Sequence, residues 1–173
     1  MKKVTILTLL LLEICITACT PKSEEITLSE RGILVDKNGN VISNEIYQPG
    51  FHTISKGDSL LKFPIAERTI TLHTQALSKN EDWLNVELTF RYVPNLDSII
   101  PIYKRFRLSI DEILAKPEAK SVIYNTFKRI NSNKLKEDNS LFLVEFEKAA
   151  VDVFQSNSLE LTFYDLKWQF DRP

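Results

Sequence analysis

The chain has 173 residues and a formal net charge of −1, with 43% hydrophobic and 26% charged residues, an ordinary globular balance. It lacks the basic surplus that a nucleic-acid partner calls for, so no nucleic-acid role is expected. Its two cysteines, Cys15 and Cys19, both lie near the N-terminus, which excludes a disulfide framework and a cysteine-rich metal site.

Met1-Lys2-Lys3 is a basic start, and Val4 to Ile16 is apolar apart from Thr5, Thr8 and Glu13. A run this short, broken by an acid, is too short for a helix across about 30 Å of hydrocarbon. It does have the charged n-region and apolar h-region of a cleavable signal. Ile16-Thr17-Ala18-Cys19 resembles the lipobox of bacterial lipoproteins. The resemblance implies a signal peptide over residues 1–18, with fatty acyl groups such as palmitate on Cys19. A plain secretory signal, or an uncleaved anchor in which Cys19 is incidental, is the alternative. Cleavage removes Lys2, Lys3 and Glu13, two bases and one acid, so −1 becomes −2. That charge offers no attraction to anionic headgroups. Membrane contact is therefore expected from the lipid, since two or more acyl chains anchor stably where one does not. The protein is expected in a bacterial cell envelope, on the inner or outer membrane, facing an extracytoplasmic space. Thr20 to about Ser29 is polar, with Pro21 and Glu24-Glu25. A lipidated tether over 19–30, with no core to build, is predicted from it. One domain is expected over 31–173.

Ile33-Leu34-Val35 predicts a strand, Asn38-Gly39 a hairpin turn, and Val41 to Tyr47 the return strand. Gln48-Pro49-Gly50-Phe51 reads as a turn, with Pro presetting φ and Gly50 in a left-handed slot. Ser55 to Asp58 is a loop, and Leu60 to Ile65 a strand in which Pro64 marks an edge or an end. Arg68 to Val93 carries the strongest pattern. Ile70, Leu72 and Ala76, then Leu84, Val86, Leu88, Phe90 and Tyr92, alternate with polar residues around the turn formers Ser78 to Asp82. That period of two predicts a hairpin with one buried face. Asp97 or Ser98 is placed to cap a helix holding Ile99, Ile100, Tyr103 and Phe106. Ser109-Ile110-Asp111-Glu112 has the capping-box pattern for a short helix to Ala115. Pro117 then restarts a helix with the stripe Ala119, Val122, Ile123, Thr126, Phe127 and Ile130, ended by Asn131-Ser132-Asn133. Lys134 to Asp138 reads as a solvated loop. Ser140 opens a last helix to about Ser156, with Phe142, Phe146, Ala149, Ala150 and Val153 on one face. Leu159, Leu161 and Phe163 alternate, then Leu166, Trp168 and Phe170 in the opposite phase, which predicts a bulge at Tyr164-Asp165 or two short strands. The fold class is thus α+β, an antiparallel sheet of hairpins packed against several helices.

In that order these segments resemble the band 7 domain of the prohibitin, stomatin and flotillin proteins, the SPFH superfamily. Gly32 to Val35 with Asn38 to Val41 is similar to its opening hairpin. Gln48-Pro49-Gly50-Phe51-His52 is similar to its Pro-Gly-Leu-His turn. Ala76 to Lys79 with Leu84 to Tyr92 resembles its strand pair around a Thr-x-Asp-Gly tip. Ile113-Leu114, Pro117, Ser121-Val122-Ile123 and Asn131 resemble its helical segment, and Leu161 to Leu166 its closing strand. The resemblance covers roughly 31–170. Here the tip is Asn80-Glu81-Asp82, and Tyr124 stands where many members carry arginine. Members also continue into a coiled coil, whereas this sequence ends at Pro173, so a monomer or small oligomer is expected rather than a large ring. The resemblance implies a prohibitin-like, membrane-anchored scaffold or adaptor for membrane proteins, membrane proteases among them, with Pro49, Gly50 and His52 as turn residues. A cell-envelope domain binding a small ligand or glycan is the second reading.

No catalytic residue, metal site or cofactor is expected. His52 and His73 form no ligand pattern, and His73 alternates opposite Leu72 as a half-exposed strand residue. Nucleophile-elbow and P-loop patterns are missing from the sequence. Asp97, Asp111 and Glu112 suit helix starts. Trp83, Tyr92, Phe127, Phe146 and Trp168 read as core or domain-edge packing. Substituting Cys19→Ala is expected to abolish metabolic labelling by a fatty acid and to release the protein from the membrane. Label retained by the variant would contradict lipidation at Cys19.

Overall fold

The computed structural model describes residues 22–170. Cys19 and the signal region lie outside the described residues. Where the sequence predicts one domain over 31–173, contacts divide the chain into two compact units, the first ending at Pro64 and the second beginning at Ile65. The architecture is α+β, with every sheet antiparallel.

Among the described residues the first unit has five short strands, β1 (Lys22–Ile26), β2 (Glu30–Val35), β3 (Val41–Tyr47), β4 (Gly50–Ile54) and β5 (Ser59–Pro64). β1 pairs with β4, and β2 is central between β3 and β5. The tether reading is thereby corrected, because β1 begins at Lys22 and pairs with β4 along its whole length. Its polar composition hid two anchors. Ile26 is buried in a cluster with Ile54 and Leu60, against which Leu34 and Tyr47 pack. Glu24 accepts the Leu60 backbone N–H at 3.1 Å, tying β1 to β5. Gly32 is needed for close approach, since a Cβ there would lie 2.9 Å from Tyr47 Cβ and 3.0 Å from an Ile26 methyl. Gly50 has φ +135° and is already the first residue of β4. Its conformation is therefore positive-φ extended rather than the left-handed turn expected from Pro49-Gly50.

The second unit centres on β6 (Arg68–Leu77), β7 (Trp83–Pro94) and β8 (Leu159–Phe170), paired in that order. The hairpin register runs from Arg68↔Tyr92 to Leu77↔Trp83 without a slip. All eight apolar residues singled out in its two strands are buried. Each such aliphatic or aromatic side chain contributes about 1.5–3 kcal/mol relative to exposure. The bulge in β8 falls earlier than predicted. Tyr92 faces Leu161 and Arg91 faces Phe163, leaving Thr162 as the extra residue. Phe163 is thereby turned outward, 42% exposed, with the Arg91 guanidinium 4.8 Å from its ring centre. Tyr164, not Phe163, continues the inward row.

Four helices belong to this unit: α1 (Ile99–Phe106), α2 (Lys116–Phe127), α3 (Ser132–Glu137) and α4 (Ser140–Ser156). Neither Asp97 nor Ser98 makes the expected cap. Asn95 does, its side chain accepting the Asp97 N–H ahead of a 3-10 turn. Ser109 likewise makes no side-chain cap, whereas Pro117 stands in the first turn of α2 as expected. A π-helical turn, Asp111–Ala115, leads straight into α2, with the Lys116 N–H reaching back to Asp111 O. Proline cannot donate and crowds the carbonyl four residues back, so a widened turn ahead of it lets the helix continue. Lys134 to Asp138 is mostly helix rather than loop, because Leu135 is buried at 4% exposure. Asp138, not Ser140, caps α4 by accepting the Ser140 N–H at 2.9 Å. That bond holds its carboxyl below the usual range. On α4, Phe154 joins the buried row while Ala149 and Val153 sit at its margin.

The helices cover the sheet through aromatic contacts. Phe154 meets Phe90 at 5.4 Å and Tyr92 at 6.1 Å between ring centres. Phe142 meets Phe127 at 4.6 Å and Trp168 at 5.4 Å. Replacing Gly50 by Val should cost roughly 1–3 kcal/mol, although its Cβ would meet no neighbour, because a β-branched residue is strained at positive φ. A thermal melt unchanged by Gly50→Val would contradict the strain argument.

Candidate functional site

Of the residues expected to carry function, Cys19 lies outside the described residues, while the Pro49-Gly50-His52 turn is ordered. His52 Nε2–H donates to Gln48 O at 2.7 Å, and its ring meets Tyr47 edge-on at 5.2 Å. The histidine thus closes its own turn. His73 lies on β6 of the second unit, beside Glu87. Among the described residues no group of three His, Cys, Asp or Glu side chains is placed to hold a metal ion. Among them, too, no helix is long and apolar enough to cross a membrane.

One polar cluster escaped the sequence reading. Tyr92 is fully buried, and its hydroxyl donates to Asp111, which also accepts from Arg68 at 3.1 Å. Asp111 is thus a strand-to-helix tie rather than only a helix-start acid. Burial first, then the bond to Asp111, pushes the Tyr92 phenol far above its ordinary 10.0. A phenol held protonated in this way acts as a fixed donor and is a poor proton acceptor. The cluster fastens the π-turn to β6 and β7.

Two surfaces remain. The first is the outer face of the β6-β7-β8 sheet, where a depression of about 570 Å³ runs across all three strands, from His73–Gln75 over Asn85–Glu87 to Lys167–Gln169. Its side chains are already paired across the strands. Gln75 donates to Asn85 at 3.1 Å. Glu87 stands 3.6 Å from His73 and 3.9 Å from Lys167. Lys167 meets Asp165 at 2.8 Å, which raises its pKa. These contacts are exposed and individually weak, but they leave few donors and acceptors converging on a ligand. The aromatic platform a sugar would stack on is also missing there. Trp168, the aromatic at this depression, packs its ring against Phe127 and Phe142 instead.

The second surface is the edge of β6 and the adjoining side of α2. A depression of about 580 Å³ is lined by Thr74, Gln75, Ala76 and Leu77 together with Trp83, Tyr124 and Lys128. Strand side chains alternate between faces. Trp83, out of phase with the buried Leu84, lines it together with Tyr124 and Lys128 of the helix that covers the other face, so the groove lies at the edge of β6 rather than on one face. Trp83 is 53% and Tyr124 45% exposed. Tyr124 is held by a hydroxyl contact to Thr74 at 2.9 Å. The expectation of core or domain-edge packing for Trp83 resolves to the edge, and Tyr124 emerges as its counterpart across the groove. The apolar stripe of α2 was readable in sequence. That Tyr124 faces the strand edge was not, since it needs the crossing of α2 over β6.

Comparison with protein-family models gives no match for this chain, and comparison with curated proteins gives none either. The resemblance to band 7 domains therefore stands on the residues themselves. The Tyr92 cluster yields a testable consequence. Substituting Tyr92→Phe should destabilise the fold by about 1–2 kcal/mol in urea unfolding, because the partly exposed Asp111 carboxylate loses one of its two donors and keeps only Arg68. Its pH dependence has a definite sign. The raised folded pKa contributes stability that is complete below about 10, the unfolded value, and is lost as pH rises through the folded value. Stability of the parent protein should fall above about pH 10 more steeply than that of Tyr92→Phe. Equal slopes would show that Tyr92 is not held protonated by the fold.

Proposed function

We propose that the protein is a lipid-anchored, non-catalytic adaptor of the cell envelope, resembling band 7 domains, that binds other membrane proteins through its second unit. The observation that carries this reading is the β6 edge. Natural sheets guard their edges with bulges, prolines, lysines or covering elements. The other edge strand of this sheet, β8, has a bulge at Thr162 and Lys167 beside Asp165. β6 has ten residues, an unshifted register and neither proline nor lysine. No strand among the described residues pairs with its outer side. An unguarded edge flanked by exposed Trp and Tyr has the composition of a protein-binding surface, where these residues are enriched as anchors. It is a poor cage for a small ligand, which needs enclosure and convergent polar groups. The anchor supports the same reading, since tethering partners to one membrane raises their effective concentration.

The test is photocrosslinking in native cells, with a crosslinking amino acid at Trp83 of the full-length protein and, as a control, at Glu45 of β3. The expected result is a discrete adduct with a membrane protein from Trp83, lost when Cys19→Ala releases the chain. Adducts equal from both positions, or none from Trp83, would overturn the adaptor reading.

A further inference from the structure

The groove along β6 does not end at Tyr124. A second depression, of about 460 Å³, adjoins it at Tyr124 and is lined by the π-turn and α2 alone, with Glu112, Lys116, Lys120 and Ser121 among its residues. The two depressions share Tyr124. Lys116, Lys120, Tyr124 and Lys128 recur every four residues, so they form one slowly winding ridge of α2 and its C-cap. Lys116 is paired with Glu112. Lys120 and Lys128 have no ion pair among the described residues. Three cations against one carboxylate leave the lining with a surplus of two positive charges, on a chain whose overall formal charge is −1.

A backbone edge with two aromatic anchors and Lys128 in one depression, and Lys120 in the depression that adjoins it at Tyr124, specify the chemistry of what lies across them. We propose that the groove between β6 and α2 docks an extended, acidic segment of a partner protein. The segment lies beside β6, where main-chain hydrogen bonds give affinity and alternate side chains give specificity. Its carboxylates meet Lys120 and Lys128, and an apolar residue between them packs on Tyr124 and Trp83. Charge complementarity of this kind selects partners and speeds encounter. The proposal rests on the adaptor reading and names the class of partner that reading requires.

The experiment uses the full-length protein in detergent and fluorescein-labelled decapeptides, read by anisotropy. One peptide alternates valine with glutamate, a second valine with lysine, and a third is the glutamate peptide N-methylated at every second residue. The glutamate peptide should bind at least about tenfold more tightly than either of the others, since charge and main-chain pairing both contribute. The variant Lys120→Glu/Lys128→Gln should lose about tenfold for the glutamate peptide with an unchanged circular dichroism melt. Glutamine at 128 spares the end of α2 an anion. Equal binding of the lysine peptide, or undiminished binding by the variant, would overturn the proposal. So would binding of phosphatidylglycerol vesicles through the same lysines without peptide binding, which would assign them to a lipid surface. A membrane-protein adduct from Trp83 without peptide preference would overturn the acidic-segment proposal and leave the adaptor reading standing. Selective peptide binding without such an adduct would support the groove chemistry and remove the adaptor reading.

Discussion

The second unit depends on one strand. β7 pairs on both sides, with β6 and with β8. Leu84, Val86, Leu88, Phe90 and Tyr92 all point to the same buried face. Shifting either partner by one residue would expose an entire apolar row, so the register of three strands is set together. The helices follow from that face. Phe127, Phe142, Phe146 and Phe154 supply the aromatic surface that covers it, and Trp168 brings β8 into the same packing.

Polar contacts then fix how the helical segments attach. At the hairpin tip, Asn80 accepts the backbone N–H of Ser132 at 2.8 Å and donates to Asp82 at 2.8 Å. Ser132 is fully buried and its hydroxyl also bonds Asp82. Lys79 N–H donates to Ile130 O at 2.9 Å. The tip therefore holds the end of α2 and the start of α3 in place, which gives Asn80-Glu81-Asp82 a structural purpose of its own. At the opposite end Asp111 joins Tyr92 and Arg68. Buried polar groups of this kind are costly unless satisfied, and no buried side-chain nitrogen or oxygen among the described residues is left without a partner.

With both ends of α2 held against the hairpin, the helix runs close to β6 and leaves a groove instead of a covered edge. Tyr124 belongs to this arrangement: its hydroxyl meets Thr74 while nearly half of the residue stays exposed. The outer sheet face, by contrast, has its polar groups engaged with one another. The difference between a satisfied face and an unsatisfied edge is what directs the functional reading to β6.

By itself the sequence determined the elements whose signal is local. Period-two alternation placed β6 and β7 and their buried row, Asn38-Gly39 the first hairpin, and the apolar stripes α2 and α4. It also carries the lipobox-like Cys19. Tertiary structure decided what depends on distant partners. β1 is a strand because β4 supplies its hydrogen bonds and Ile54 and Leu60 receive Ile26, which a polar stretch read alone does not reveal. Lys134 to Glu137 is helical because Leu135 finds a core. The π-turn persists because Asp111 is held from β6 and β7. The candidate groove is of the same kind. Thr74 and Tyr124 are fifty residues apart, and only the crossing of a helix over an unpaired strand edge brings them together.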